Sequence, residues 1–340
     1  MTMRIHLLGY PGPIGGANTE LWHVVRLWRQ HGVEVTAVPT WKDDPIWRGN
    51  LEGIGCSILT GKPRTLTIPP GSVCVGYCNA QVAMMVDRLQ DCSIIWVPCM
   101  SYLTDQENEC RPFDRYVFQS RSQQARLQPQ LEARGVPPDH CRRIRGAFIF
   151  DDFPYSPKPH KPSEPFVVGR LSRGDPKKWP ADLWRTLGQI PNVRARMMGW
   201  TDRIARKCGP PPPWAEVLPP CAETTQDFLA SLHCLVCQND PVDHPAAIEN
   251  NPRVGLEAMA AGVPIVADDR GGWLEMIQHG RTGYLCDTSA AVGDYVRRLA
   301  AHEPRRLRIA QQAREAVVDT LAAPGPIWRE WERMFKELGA

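Results

Sequence analysis

Between Phe153 and Pro165 the chain reads FPYSPKPHKPSEP, a run in which prolines are too dense for a helix or a sheet strand to pass through. A chain of 340 residues broken there is expected to form two bodies, since compact domains hold about 150 residues each. On both sides of the break, short apolar runs alternate with amphipathic stretches. The first half opens on a strand, Ile5–Leu8, a Gly/Pro-rich loop, a helix and a second strand, Val33–Val38. In that helix Leu21, Val24, Val25, Leu27 and Trp28 recur at helical spacing, and Gly32 takes the C-cap position. Further strands are expected at 72–77, 93–98 and 115–120, with a helix at 80–90. The second half repeats the alternation through FVVGRLS, VRARMMG, HCLVCQ and GVPIVAD. Such alternation builds parallel sheets with crossover helices, so both halves read as doubly wound α/β domains. The expected boundaries are 1–155 and 156–322. A tail, 323–340, is expected to pack back toward the N-terminal domain through a helix at 326–338, with Trp328, Trp331, Met334, Phe335 and Leu338 on one face.

Composition narrows the partners. Apolar residues at 43% and charged residues at 23% are ordinary for a packed soluble chain and argue against a disordered or fibrous one. A net charge of +3 is too small for a nucleic-acid groove, while it suits a phosphate-bearing ligand and peripheral contact with an anionic membrane surface. No apolar run approaches the length of a membrane-spanning helix. Met1-Thr2-Met3-Arg4 leads straight into a strand without a secretory apolar region, so a cytoplasmic location with twelve reduced cysteines is expected. Cys234 and Cys237 fall inside an apolar strand and point to opposite faces, which suits small buried hydrophobes rather than a shared metal.

The most informative stretch runs from Glu249 to Leu285, ENNPRVGLEAMAAGVPIVADDRGGWLEMIQHGRTGYL. Pro252 suits the first turn of a helix that continues over Glu257–Ala261, Gly262 ends it, and Val263–Ala267 form the next strand. The N-terminus of that helix then faces the carboxyl ends of the strands, where ligands bind in open α/β sheets and where a phosphate is favoured. Glu249 and Glu257, eight residues apart, can flank one ligand and accept hydrogen bonds from sugar hydroxyls. Upstream, the strand ending in Gly169-Arg170 brings Arg170 to the same end, and Lys177 or Lys178, the latter preferred, can return to it; two cations there would neutralise a leaving diphosphate. In the first half, Gly15 and Gly16 let the backbone approach a ligand, with Asn18 a hydroxyl ligand beside them. Gly271 and Gly272, in a strand-to-helix turn, offer backbone contacts.

The two glutamates with seven residues between them, followed by EAMAAGVPIVA, GGWLEMI and GRTGYL, resemble the signature of glycosyltransferase family 4. The resemblance implies an α/β GT-B fold of two Rossmann-like domains with parallel sheets facing a central cleft. The N-terminal domain would be on the acceptor side and the C-terminal domain would bind the nucleotide-sugar donor. It implies retention of anomeric configuration, Glu257 on the nucleotide ribose and Glu249 on the donor sugar, with Arg170 and Lys178 on the diphosphate. Lys177, Val254, Gly255, Gly15, Gly16, Asn18, Gly271 and Gly272 complete the expected donor-binding set. UDP or GDP sugars are the expected co-substrates, the acceptor being a glycan, a lipid-linked group or a small molecule.

This sequence departs from the family twice. Asn250-Asn251-Pro252 stands where many members carry Gly-Phe-Gly, so Pro252 lacks a backbone donor to the phosphate. Strand ends that often carry histidines read YCNAQ around Asn79 and VPCMS around Cys99, which leaves the acceptor site unassigned; His6 and His23 read as core or helix-face residues. No Asp-x-Asp triplet occurs, so no cofactor and no metal is expected to be needed. The alternatives are a GT-B nucleotide-sugar epimerase or hydrolase, and a degenerate transferase kept as a binding subunit.

Overall fold

A computed structural model of the chain describes residues 2–9, 15–40, 45–60, 66–239 and 248–340, so that 12–14 of the glycine-rich loop lie outside the described residues. The chain divides into two compact units, Met1–Phe148 with Pro324–Ala340, and Ile149–Ala323. The break falls ahead of the proline-rich run because Arg314 ties the intervening turn into the second unit. Its Nη1 donates to the carbonyls of Phe150 (3.2 Å), Phe153 (2.9 Å) and Ala260 (3.1 Å).

The first unit is built on a parallel sheet of seven strands in the order β3-β2-β1-β4-β5-β6-β7. These are β1 Arg4–Leu8, β2 Glu34–Val38, β3 Ser57–Ile58, β4 Val73–Tyr77, β5 Ser93–Val97, β6 Arg115–Phe118 and β7 Cys141–Arg143. The strands expected from apolar runs are all present; β3 and β7 are additional. The helix Gly16–Gln30 buries Leu21, Val24, Val25, Leu27 and Trp28 as its spacing requires. Gly32 follows it in the left-handed region at φ 78°. Residues 80–90 are not one helix: Ala80–Val82 and Val86–Arg88 are separate 3-10 turns. Val82, Val86 and Leu89 are all buried, so tighter turns satisfy the same apolar spacing. The C-terminal helix, Pro324–Glu337, belongs to this unit, where Trp28 meets Trp331 and Phe335 edge-on at 5.0 and 5.3 Å.

The second unit carries a parallel sheet of six strands, β10-β9-β8-β11-β12-β13. They are β8 Phe166–Leu171, β9 Val193–Met198, β10 Ala215–Leu218, β11 Cys234–Cys237, β12 Ile265–Asp268 and β13 Tyr284–Cys286. Strand order reverses between β8 and β11, which makes the carboxyl ends of those two strands the place where a crevice opens in a doubly wound sheet. Cys234 and Cys237 are buried on β11, and burial pushes the Cys237 thiol up to about 12. Among the described residues no helix is long and apolar enough to cross a membrane.

Candidate functional site

The helix Arg253–Ala261 is stopped by Gly262, which takes the left-handed conformation at φ 86° while Val263 N donates back to Ala258 O at 2.8 Å. Pro252 occupies its N-cap position and gives it no side-chain cap. Three glycines then fix the neighbourhood by closeness. A Cβ on Gly255 would stand 2.5 Å from Met276 Sδ and 2.7 Å from the Trp273 ring. Gly271, at φ 62°, would place one 2.6 Å from the Glu249 carbonyl, and Gly272 would drive one into the Asn250 carbonyl. Gly272 N donates to Glu249 O at 2.7 Å, so this turn clamps the backbone that carries Glu249 rather than pointing its own N–H outward.

At the carboxyl ends of β8 and β11 the expected cations and one glutamate come together. Asp175 caps the 3-10 turn Pro176–Lys178, and this turns Lys178 inward. Lys178 Nζ donates to Glu249 Oε1 at 2.7 Å, its side chain 7% exposed and that of Glu249 29% exposed. Asn239, just past β11, donates to the same oxygen at 3.3 Å. Burial pushes the Glu249 carboxyl up, but the Lys178 ammonium, its hydrogen bond and the Asn239 amide outweigh it and hold the group below the usual carboxylate range. Glu249 Oε2 has no hydrogen-bond partner among the described residues.

Arg170 lies in the same cluster but does not reach outward. Its guanidinium is fully buried over the Trp179 ring at 5.1 Å, with Nη1 on Val236 O at 3.3 Å and Nη2 on Asn239 Oδ1 at 3.0 Å and on Lys178 O. The sequence reading put this charge on the ligand; the structure uses its donors to hold Asn239 and the Lys178 main chain. Lys177 is exposed, and only its backbone N, on Asp175 Oδ1 at 3.0 Å, joins this turn.

Glu257 sits on the buried face of the helix, 7% exposed, and its carboxylate has no hydrogen-bond partner among the described residues. Burial pushes its pKa up, opposed by Arg253. A carboxylate so placed can accept hydrogen bonds from the hydroxyls of a ligand. Val254 and Gly255 lie in the first turn of that helix, with Gly255 N on Pro252 O at 2.9 Å. Asp268, at the end of β12, is a further member the sequence reading missed; it accepts from Asn239 N at 3.0 Å and from Arg270 Nη2 at 3.3 Å.

In the first unit, Gly15 is the N-cap of the helix Gly16–Gln30 at φ 116°, Gly16 is exposed, and Asn18 N donates to Gly15 O at 3.1 Å. At the β1/β4 reversal Asn79 Nδ2 donates to Thr40 Oγ1 at 2.8 Å, and a Cβ on Gly9 would lie 2.5 Å from that nitrogen. His23 is buried against Phe148, ring centroids 5.2 Å apart. Among the described residues no three His, Cys, Asp or Glu side chains gather to hold a metal ion.

The fold has counterparts among solved structures. Over 98% of its length the chain superimposes on 100% of the Anabaena Alr3699/HepE chain in complex with UDP-glucose, with a TM-score of 0.75 at 17% identity. Sucrose-phosphate synthase from Thermosynechococcus elongatus gives 0.72 at 16% identity, covering 99% of either chain. The fold is therefore α/β GT-B, two Rossmann-like domains on parallel sheets. Residues 228–316, which hold both glutamates, match the family described as Glycosyl transferases group 1. The chain is 42% identical over 66 residues to N-acetyl-alpha-D-glucosaminyl L-malate synthase of Bacillus anthracis, 19% of this chain and 17% of that protein. Over 77 residues it is 40% identical to the GDP-mannose-dependent alpha-(1-6)-phosphatidylinositol monomannoside mannosyltransferase of Mycobacterium tuberculosis, 21% of this chain and 20% of that protein. The matched stretches span about a fifth of either curated relative.

Proposed function

We propose that the protein is a retaining glycosyltransferase of family 4 type, which moves a sugar from a nucleoside diphosphate sugar to a hydroxyl or amine of an acceptor. The observation that carries this reading is the pair of glutamates: Glu249 with one oxygen tied to Lys178 and Asn239 and the other without a hydrogen bond among the described residues, and Glu257 on the buried face of the following helix. Ribose hydroxyls satisfy Glu257. A sugar hydroxyl satisfies Glu249 Oε2. The Lys178 ammonium and the start of the helix Arg253–Ala261 favour the diphosphate, and the buried Arg170 adds its field. The bond from the anomeric carbon to the diphosphate oxygen breaks, the bond to the acceptor forms on the same face, and the acceptor proton passes to the departing phosphate oxygen. The first unit takes the acceptor, and the cations make a metal unnecessary. The names of the relatives, one using GDP-mannose, and of the UDP-glucose complex support this donor class.

The test is a thermal-shift screen against UDP, GDP, ADP, TDP and their sugars, followed by turnover with the donor that binds. A ligand at a hundred times its Kd adds about 2.7 kcal/mol to native stability. One nucleotide class should raise the melting temperature, its sugar should be transferred in EDTA, and the product should keep the donor's anomeric configuration. No shift with any nucleotide, or inverted product, overturns the reading. Activity lost in EDTA and restored by Mg²⁺ overturns its metal-free form.

A further inference from the structure

Asn239 stands where strand order reverses, immediately beyond β11, and is buried. Its amide lies between a group that can only donate and one that can only accept. Arg170 Nη2 donates to Oδ1 at 3.0 Å, and Nδ2 donates to Glu249 Oε1 at 3.3 Å. The opposite orientation would set NH₂ against guanidinium and oxygen against carboxylate, so chemistry fixes the amide. Its own N–H is held by Asp268 Oδ2 at 3.0 Å, which locks the main chain as well. Arg170 is locked in turn by Val236 O and Lys178 O.

We infer that Asn239 is a positioning residue: with Lys178 it binds Glu249 Oε1 and so presents Oε2 as the one acceptor the carboxylate offers to the donor sugar. Arg170 acts through it, as the anchor of the amide. This rests on the transferase reading for what Oε2 meets, but not for the geometry. The amide bridges the two groups with one acceptor and one donor. Alanine removes both bonds, and aspartate keeps the bond to Arg170 while turning a second anion toward Glu249. Among the described residues the charged and titratable groups that act on Glu249 are Lys178 and Arg173 from the segment after β8, Arg170 from β8 and Cys237 from β11.

The experiment follows the Glu249 carboxyl by NMR in the full chain labelled with 13C at glutamate carboxyls, with Glu249→Gln assigning the resonance, beside steady-state kinetics. In Asn239→Ala the carboxyl should titrate at higher pH than in the parent, and in Asn239→Asp higher by about one pH unit or more. Turnover in Asn239→Ala should fall about tenfold, with donor KM changed less than about twofold, because alignment rather than binding is lost. Glu249 titrating as in the parent in both variants, or KM rising as far as kcat falls, overturns the inference. If Asn239→Asp does not fold, Asn239→Ala decides by the same titration. A parent that turns over no donor overturns the proposed function, while the titration, which needs no substrate, still decides the role of Asn239.

Discussion

Glu249 and Glu257 are the same residue type eight positions apart, and their surroundings give them opposite chemistry. One is held ionised by an ammonium and an amide; the other is pushed toward its neutral form by burial, with Arg253 opposing. Glu257→Gln should weaken the free nucleoside diphosphate and the intact donor alike, by about 1.5–3 kcal/mol where the ribose hydroxyls donate to the ionised carboxylate. Glu249→Gln should leave nucleotide affinity nearly unchanged and lower turnover about a hundredfold, since its contact is with the sugar. Calorimetric titration with the free nucleotide, beside kinetics, checks both. Equal losses of nucleotide affinity would contradict the separation. Glu249 and Glu257 could be picked out because they form a motif of fixed spacing within one continuous stretch, and Lys178 because it follows the strand that ends in Arg170 by a few residues. Asn239 and Asp268 were not, since neither belongs to a spaced motif and only the sheet brings the ends of β11 and β12 together. A polar residue closing the apolar run HCLVCQN was the one available signal.

At the scale of elements, central strands could be read from apolar runs because they are covered on both faces, whereas the short strands β3, β7, β10 and β13 escaped notice. Strand β7 reads Cys141-Arg142-Arg143, which as an edge needs little apolar character. The turn before Trp273 carries a sharper consequence. Gly272→Ala should lower stability by about 1–3 kcal/mol and displace Glu249, because the new methyl meets the Asn250 carbonyl and the Gly272 N–H supports the Glu249 carbonyl. A melting temperature and turnover equal to the parent's would remove the clamp from the account. A second element effect depends on pH. His233 Nδ1 accepts from Val167 N at 2.8 Å, which leaves Nε2 to donate to Pro159 O at 2.9 Å. Burial, with Lys158 and Arg306 nearby, lowers its pKa to about 4, despite the Pro159 bond. Between that value and its unfolded value near ~6.5 the unfolded chain takes up a proton that the folded one refuses, so stability should fall as pH drops through this window and level off below it. Urea midpoints at pH 7, 5.5 and 4.5 should fall more steeply for the parent than for His233→Gln; parallel slopes would exclude His233 as the cause.

At the scale of the molecule the chain leaves its first unit at Phe148 and returns to it at Pro324, so one core is closed by the last helix while Lys178, Glu249 and Glu257 of the proposed donor site lie in the other. The tail's apolar face, with Trp331 and Phe335 buried, made its helix legible in the sequence; its partner Trp28 was not, because no local pattern joins residues so far apart. This arrangement separates stability from binding. Trp331 is among the largest fully buried side chains, and Trp331→Ala should cost the first unit about 3–5 kcal/mol through lost burial and a residual cavity. Nucleoside diphosphate affinity should be unchanged at a temperature where the variant remains folded, because Lys178, Glu249 and Glu257 keep every contact they make within the second unit. Transfer to an acceptor should fall, since the proposed acceptor side rests on the weakened core. Calorimetric unfolding with and without nucleotide, alongside titration of the variant, reads both effects. A nucleotide affinity that drops with the first unit's stability would mean that nucleotide binding depends on that unit too, and the assignment of the nucleotide to Lys178 and Glu257 of the second unit would fail.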